Sequence, residues 1–319
     1  MSMEVLITGG LGNLGSWITR EFLRAGHEVT VTTSSARSAD ELHGARVLPM
    51  DLASPASVAE SLEGGAFDVV VHAGSVNDGF VDGYFSRSYR VNTEGTSTLL
   101  HSLDRKRLRH FVYLSTFHVY GVAHGVVSEE FPVSPRNDYA TSHLAAEYIV
   151  RQHAMQSGLP ATVFRLTNGY GCPVIASAAK WYLLLNDLAR MAVQDRRLVL
   201  KSGADLRRDF VWMGDVAKAV LDWVTGGERA MGQTLNVAYG KSLSLREAAE
   251  EVQKAFIDYA GVEVPLECAA PAAERPQALE VEATRLWSQL GWRPQFRIKE
   301  EALATFKLLA AQPDAAEQA

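Results

Sequence analysis

Short β-branched runs alternate with longer amphipathic segments through the first half of the chain, and this alternation restricts the fold more than any other feature. The runs "EVLIT" (4–8), "EVTVTT" (28–33), "ARVLPM" (45–50), "DVVVHA" (68–73), "HFVYLS" (110–115) and "ATVFRL" (161–166) read as strands buried on both faces. Such strands belong in parallel sheets covered by helices. Helical periodicity lies between them, at about 13–25, 54–63, 85–107 and 138–157. The pattern predicts an α/β fold built on a doubly wound parallel sheet. After residue 167 the alternation loosens. Helices are expected at about 176–193, 215–225, 244–259, 282–290 and 299–311, and strands near 197–200, 209–213 and 233–238.

Composition removes several function classes. The net charge of −6 comes from 37 acidic and 31 basic residues with no basic block, which speaks against nucleic acid or an anionic membrane surface as partner. No run of apolar residues is long enough to span a bilayer, and no targeting signal is visible. Two cysteines, Cys172 and Cys268, make neither a disulfide framework nor a metal cluster, and no metal site is expected. A reducing cytoplasm fits this chain best.

The first chemistry follows the opening strand. In "LITGGLGNLGSW", Gly9, Gly12 and Gly15 stand three apart between strand 4–8 and a helix starting at Asn13. Backbone N–H groups and a helix dipole meet a dinucleotide pyrophosphate at such a turn, with Asn13 and Leu14 beside it. The end of the second strand selects the dinucleotide. An acid there binds the NAD ribose, whereas hydroxyls and an Arg accept a 2′-phosphate. Here the strand ends in Thr33 with Arg37 just beyond and no acid until Asp40, which favours NADP and leaves NAD as the alternative. Asp51 and Leu52 after the third strand, and His72, Ala73 and Gly74 after the fourth, fall on the ligand edge of the sheet and are expected to line the adenine and ribose. Asn92 is grouped with these cofactor-binding residues.

The segments "TGGLGNLG" (8–15), "FVYLSTFHVYG" (111–121), "DYATSH" (138–143), "RLTNGYGCP" (165–173), "RRDFVWMGDVAKAV" (207–220), "LNVAYG" (235–240) and "LGWRP" (290–294) share their order and spacing with a known group. Through them the sequence resembles the extended short-chain dehydrogenase/reductase family of nucleotide-sugar epimerases, dehydratases and ketoreductases. The resemblance implies a Rossmann-like domain, 1–170 plus about 209–240, holding the dinucleotide. It also implies a smaller α/β domain, 171–208 plus 241–312, closing over a nucleotide-sugar substrate, with 313–319 frayed. A homodimer built through the helices at about 86–107 and 138–157 is implied by the same analogy.

By this resemblance Tyr139 is the acid/base that exchanges a proton with the sugar oxygen, and Thr116, with Ser115 before it, polarises that oxygen. Asn168 would touch the sugar nucleotide, Arg208 its diphosphate, and Arg275 is a candidate second clamp. The family places a Lys four residues after the Tyr to stabilise the phenolate and hold the nicotinamide ribose; this sequence has His143. A phenol titrates near ~10 and an imidazole near ~6.5, so His143 is a weaker activator than Lys and reduction suits the site better than oxidation. The sugar 4,6-dehydratases carry an Asp-Glu pair after the Thr. Phe117 and His118 stand there instead, which argues against dehydration and leaves His118 as either a second acid/base or a structural hydrogen-bonder. Two classes remain open: an NADP-dependent ketoreductase or epimerase of nucleotide sugars, and a binding protein of the same fold with weakened catalysis.

Overall fold

The computed structural model describes residues 2–34, 40, 42–76, 85–122, 124–201, 203–226, 232–269 and 278–311. Seven strands, β1 (Glu4–Thr8), β2 (Glu28–Thr33), β3 (Arg46–Pro49), β4 (Val69–His72), β5 (His110–Thr116), β6 (Ala161–Leu166) and β7 (Gln233–Val237), form one sheet. All neighbours are parallel and the spatial order is β3-β2-β1-β4-β5-β6-β7. Parallel neighbours need crossover connections, and the helices that supply them cover both faces. Val5 and Ile7 of β1 face one apolar layer with Ile18, Phe22, Val216 and Trp223. Leu6 points the other way, into a layer with Val58, Leu99, Ala146 and Val150. Successive side chains of a fully buried strand must both find apolar partners, which is why these runs carry no polar alternation. Strand order reverses between β1 and β4, the place at the carboxyl edge where open sheets of this kind take their ligands.

A third apolar cluster lies beyond the sheet. Leu185 and Leu188 of the helix Leu184–Gln194, Val252 and Phe256 of Leu245–Ala260, and Ile298 and Phe306 of Ile298–Ala310 pack together. The short parallel pair Leu198–Leu200 and Leu266–Cys268 lies against them. Leu279–Val281 leaves this cluster and pairs with Gly125–Val127, and Leu286 and Trp287 enter the sheet core, where Trp287 Nε1 donates to the Ala238 carbonyl at 2.9 Å. Among the described residues no helix is long and apolar enough to cross a membrane.

Some elements differ from the sequence expectation. The helix expected at 176–193 begins at Leu184, because the buried three-to-four spacing starts only at Leu185. The helix expected at 85–107 ends at Ser102 and contains a π-helical turn, Tyr89–Glu94. The strand expected at 209–213 is split into Arg207–Arg208 and Phe210–Trp212. Asp209 interrupts it: its buried carboxylate accepts from the backbone N–H of Tyr239 and Gly240 and from the Thr167 hydroxyl, at 2.9, 2.7 and 2.6 Å.

Candidate active site

The glycine turn joins β1 to the helix Asn13–Arg24. Gly9 has φ +63°, and a Cβ there would lie 2.8 Å from Gly74 Cα, so the two loops at the strand-order reversal touch only because residue 9 is glycine. A Cβ on Gly15 would stand 2.1 Å from the Gly9 carbonyl oxygen; this glycine lets the helix lean on the turn. Gly12 is different, since a Cβ there would meet only the Gly9 oxygen, at 3.0 Å. Its other side is open. The helix has no side-chain cap and no acid in its first turn, and Asn13 Oδ1 is buried without a partner among the described residues. Uncapped N–H groups beside an open glycine form a fitting cradle for a pyrophosphate.

Tyr139 stands in the first turn of the helix Asp138–Ser157, whose start is fixed by Asn137 Oδ1 accepting from the Ala140 N–H at 2.8 Å. The helix brings the phenol to the end of β5, where it hydrogen-bonds the Thr116 hydroxyl. Burial pushes the Tyr139 pKa up to about 12, against the lowering effect of the Thr116 bond. His143, one turn on, stacks edgewise on Tyr139 with ring centroids 4.6 Å apart. The imidazole is 1% exposed, and burial, with His72 and His118 adding to it, drops its pKa to about 3. His143 Nδ1 lies 2.7 Å from the Tyr113 hydroxyl, while Nε2 is enclosed without a partner among the described residues. Tyr113 has no other acceptor among the described residues, so its O–H donates to Nδ1 and the ring proton sits on Nε2. A neutral, enclosed imidazole offers Tyr139 no positive charge.

Several expected site residues are engaged elsewhere. Ser115 Oγ donates to Glu147 Oε1 at 2.5 Å, and that buried carboxylate is gripped by Arg165 at 2.6 Å, so Ser115 belongs to a structural ion-pair network. His72 is 1% exposed, and its side chain lies in the core and not against a ligand. The Thr96 hydroxyl donates to the Asn92 carbonyl at 2.6 Å and therefore accepts from His72 Nε2–H at 2.9 Å; the bare Nδ1 accepts from Thr8 O–H at 2.6 Å. Burial keeps this ring neutral, with a pKa of about 3. Asn92, in the π-helical turn, is also buried. Its amide pairs with the Val76 backbone in both directions and donates to Ser142 Oγ at 3.0 Å, which places it as a brace for the loop after β4.

The remaining residues lie along the carboxyl edge. Asp51 is exposed and holds the Ala53 N–H with one oxygen, Leu52 is buried beside Gly74, and Ala73 and Gly74 are partly open. Thr33 ends β2; Arg37 lies outside the described residues, as does Arg275. Asn168 Nδ2 donates to the Asp209 carbonyl at 2.8 Å. Arg207 and Arg208 have separate surroundings: Arg207 bonds the Ser242 carbonyl and approaches Glu247 at 3.4 Å, whereas Arg208 is exposed with no carboxylate partner among the described residues. His118 is exposed, its ring 6.2 Å from the Tyr139 ring by centroids. Tyr113, Glu147, Arg165 and Tyr182, a second phenol near Tyr139, were not singled out from the sequence.

Comparison with known proteins agrees with this layout. The model of the NAD dependent epimerase/dehydratase family matches residues 5–238. The chain is 33% identical to GDP-6-deoxy-D-mannose reductase of Pseudomonas aeruginosa over 253 residues, covering 74% of this chain and 78% of that protein. It is 27% identical to UDP-glucose 4-epimerase of Corynebacterium glutamicum, covering 99% of each. The structure of RMD from Pseudomonas aeruginosa complexed with NADPH superposes with a TM-score of 0.76 at 27% identity, covering 98% of this chain and all of that one.

Proposed function

Because the chain belongs to the NAD dependent epimerase/dehydratase family, we propose that it is an NADP-dependent oxidoreductase that reduces the 4-keto group of a nucleotide sugar. When bound, the nicotinamide supplies the hydride that adds to the keto carbon. Tyr139 gives its phenolic proton to the oxygen, and the Thr116 hydroxyl steadies the charge that develops there. The observation that carries this reading is the protonation of Tyr139: with its pKa at about 12 and a neutral imidazole beside it, the phenol is a ready donor and a poor base. Epimerisation at the same carbon would also require the reverse step, in which Tyr139 must first lose its proton.

The cofactor pyrophosphate is assigned to Gly9, Gly12, Asn13, Leu14 and Gly15, the 2′-phosphate to Thr33 and Arg37, and the adenine side to Asp51, Leu52, Ala73 and Gly74. Asn168 touches the sugar nucleotide and Arg208 its diphosphate, for which a guanidinium with no carboxylate partner among the described residues is suited by its forked donors. The reductase relative and the NADPH-bound neighbour support reduction with NADP. A homodimer through the helix Asp138–Ser157 is supported by Tyr148 and Met155, which are 56% and 85% exposed there.

The test follows NADPH consumption with UDP- and GDP-linked 4-keto-6-deoxyhexoses. Tyr139→Phe is expected to slow reduction by about 10²-fold or more, while fluorescence titration shows NADPH binding tighter than NADH. An active Tyr139→Phe variant, or no consumption with either ketone, overturns the reading.

A further inference from the structure

We propose that the cleft bordered by the helices Asn13–Arg24, Met213–Thr225 and Ile298–Ala310 is a second small-molecule site, separate from the candidate active site, and that it takes a small organic carboxylate with an apolar body.

The cleft has a volume of about 480 Å³, room for a compound of metabolite size. Trp17, Arg20 and Arg24 enter it from the first helix, Asp215 and Lys218 from the second, and Glu301 from the third. Thr116, Tyr139, Asn168 and Arg208 take no part in its walls. Arg20 follows Gly12 by eight residues, about 12 Å along the helix axis from the glycine turn. A ligand beside Arg20 therefore leaves the cofactor cradle open.

The walls hold two donors that the protein does not use. Trp17 is 6% exposed, and its Nε1–H is buried without an acceptor among the described residues. The same holds for the Nε–H of Arg20. Buried donors are nearly always paired, so two orphans lining one cleft mark a place for an acceptor from outside. They lie together, with the Arg20 guanidinium carbon 4.2 Å from the Trp17 ring centroid. The N–H side of the indole faces Gly171, where a Cβ would lie 2.9 Å from the ring, and Cys172 and Pro173, which follow, line the cleft. Rotation of one flexible side chain, Arg20, towards a ligand uncovers both donors.

Charge selects the class of ligand. Arg20 and Arg24 have no carboxylate at ion-pair distance among the described residues, whereas Lys218 is paired with Asp222. Three acids, Glu21, Asp215 and Glu301, also line the cleft. Two of them are already engaged: Glu301 Oε2 accepts from the Cys172 backbone N–H at 2.7 Å, and Asp215 Oδ2 from that of Gln295 at 2.5 Å. A cation would have to compete for those oxygens. A carboxylate instead brings one negative charge to the free guanidiniums and two oxygens to the two free donors. A doubly charged phosphate would meet the three acids at twice the repulsion. Trp212, edge-on to Trp17 with centroids 5.7 Å apart, supplies with Pro173 and Val174 an apolar wall for the rest of the ligand.

The experiment titrates the full chain with benzoate, read by saturation transfer from the protein to the ring protons in NMR. Benzamide serves as the uncharged isostere, and NADPH and inorganic phosphate as competitors. Saturable benzoate binding is expected, stronger than that of benzamide and not displaced by either competitor. Arg20→Gln should weaken it by about 10-fold or more, and Trp17→Phe, which keeps the packing and removes the N–H, by about threefold. Arg208→Gln, at the candidate active site, should leave it unchanged. Circular dichroism checks that the variants are folded; should Trp17→Phe not fold, Arg20→Gln decides alone. No saturable binding, equal binding of benzamide, equal competition by phosphate, or undiminished binding by Arg20→Gln overturns the proposal. Displacement by NADPH, or loss in Arg208→Gln, places benzoate in the active site and overturns it as well. The reductase reading is decided by turnover and stands apart from each of these results.

Discussion

At Tyr139 the contest between burial and the Thr116 hydrogen bond ends with a protonated phenol, its pKa at about 12. A cation in the next turn would change that outcome, because an opposite charge within a few ångströms favours the phenolate. His143→Lys is therefore expected to lower the phenol pKa, read directly from the phenolate absorbance during a pH titration. With saturating cofactor at neutral pH, initial rates of alcohol oxidation should gain more than those of ketone reduction, since only oxidation waits for the phenolate. Equal gains in both directions would refute the account. The sequence made this pair legible because helical spacing alone puts residues four apart on one face. It did not reveal Tyr113, which reaches His143 from a strand 30 positions earlier. Nor did residue type distinguish Ser115 from Thr116: both are hydroxyls at the end of β5, and only the position of Glu147 shows that Ser115 is engaged.

The helix Asp138–Ser157 lies on β5 in a matched register. Two strand residues advance about 6.6 Å and four helical residues about 6.0 Å, so Tyr113 and Ser115 meet His143 and Glu147 in turn. Arg165 of β6 closes the arrangement by gripping Glu147, with side chains 4% and 0% exposed. Removing one partner leaves a buried charge alone. Glu147→Gln should cost about 3–5 kcal/mol in urea unfolding, whereas Glu147→Leu combined with Arg165→Leu should recover most of that loss. A double variant no more stable than the single one would show that the pair contributes through more than charge neutralisation. Sheet strands were legible to within one residue at either end, because continuous apolar runs have few alternative environments. The connections were less so. The π-helical turn at Asn92 and the break at Asp209 are set by partners, Val76 and the Tyr239–Gly240 backbone, that lie far along the chain.

Buried neutral histidines give the whole molecule a weakness towards acid. His72 and His143 titrate at about 3 in the folded protein and at 6.5 in the ordinary state. As pH falls, the unfolded chain binds these protons first, so stability is full above about 6.5 and is lost down to about 3, at roughly 1.4 kcal/mol per pH unit for each ring. Asp215, raised by burial to about 6, acts in the opposite sense as pH falls towards 3.8 and offsets part of the loss. The urea midpoint should decline between about pH 6.5 and pH 4, and His72→Gln should flatten that decline by one ring's share; an unchanged slope would exclude His72 as its source. The return of Leu279–Val281 to Gly125–Val127, with Trp287 in the sheet core, bears on how the molecule is made. A ribosome that has synthesised β1 to β6 has produced a sheet whose last edge awaits β7 and whose core awaits an indole some fifty positions later. The nascent polypeptide must carry that unfinished surface while roughly 120 further residues are added, so the sheet is completed in one late folding event.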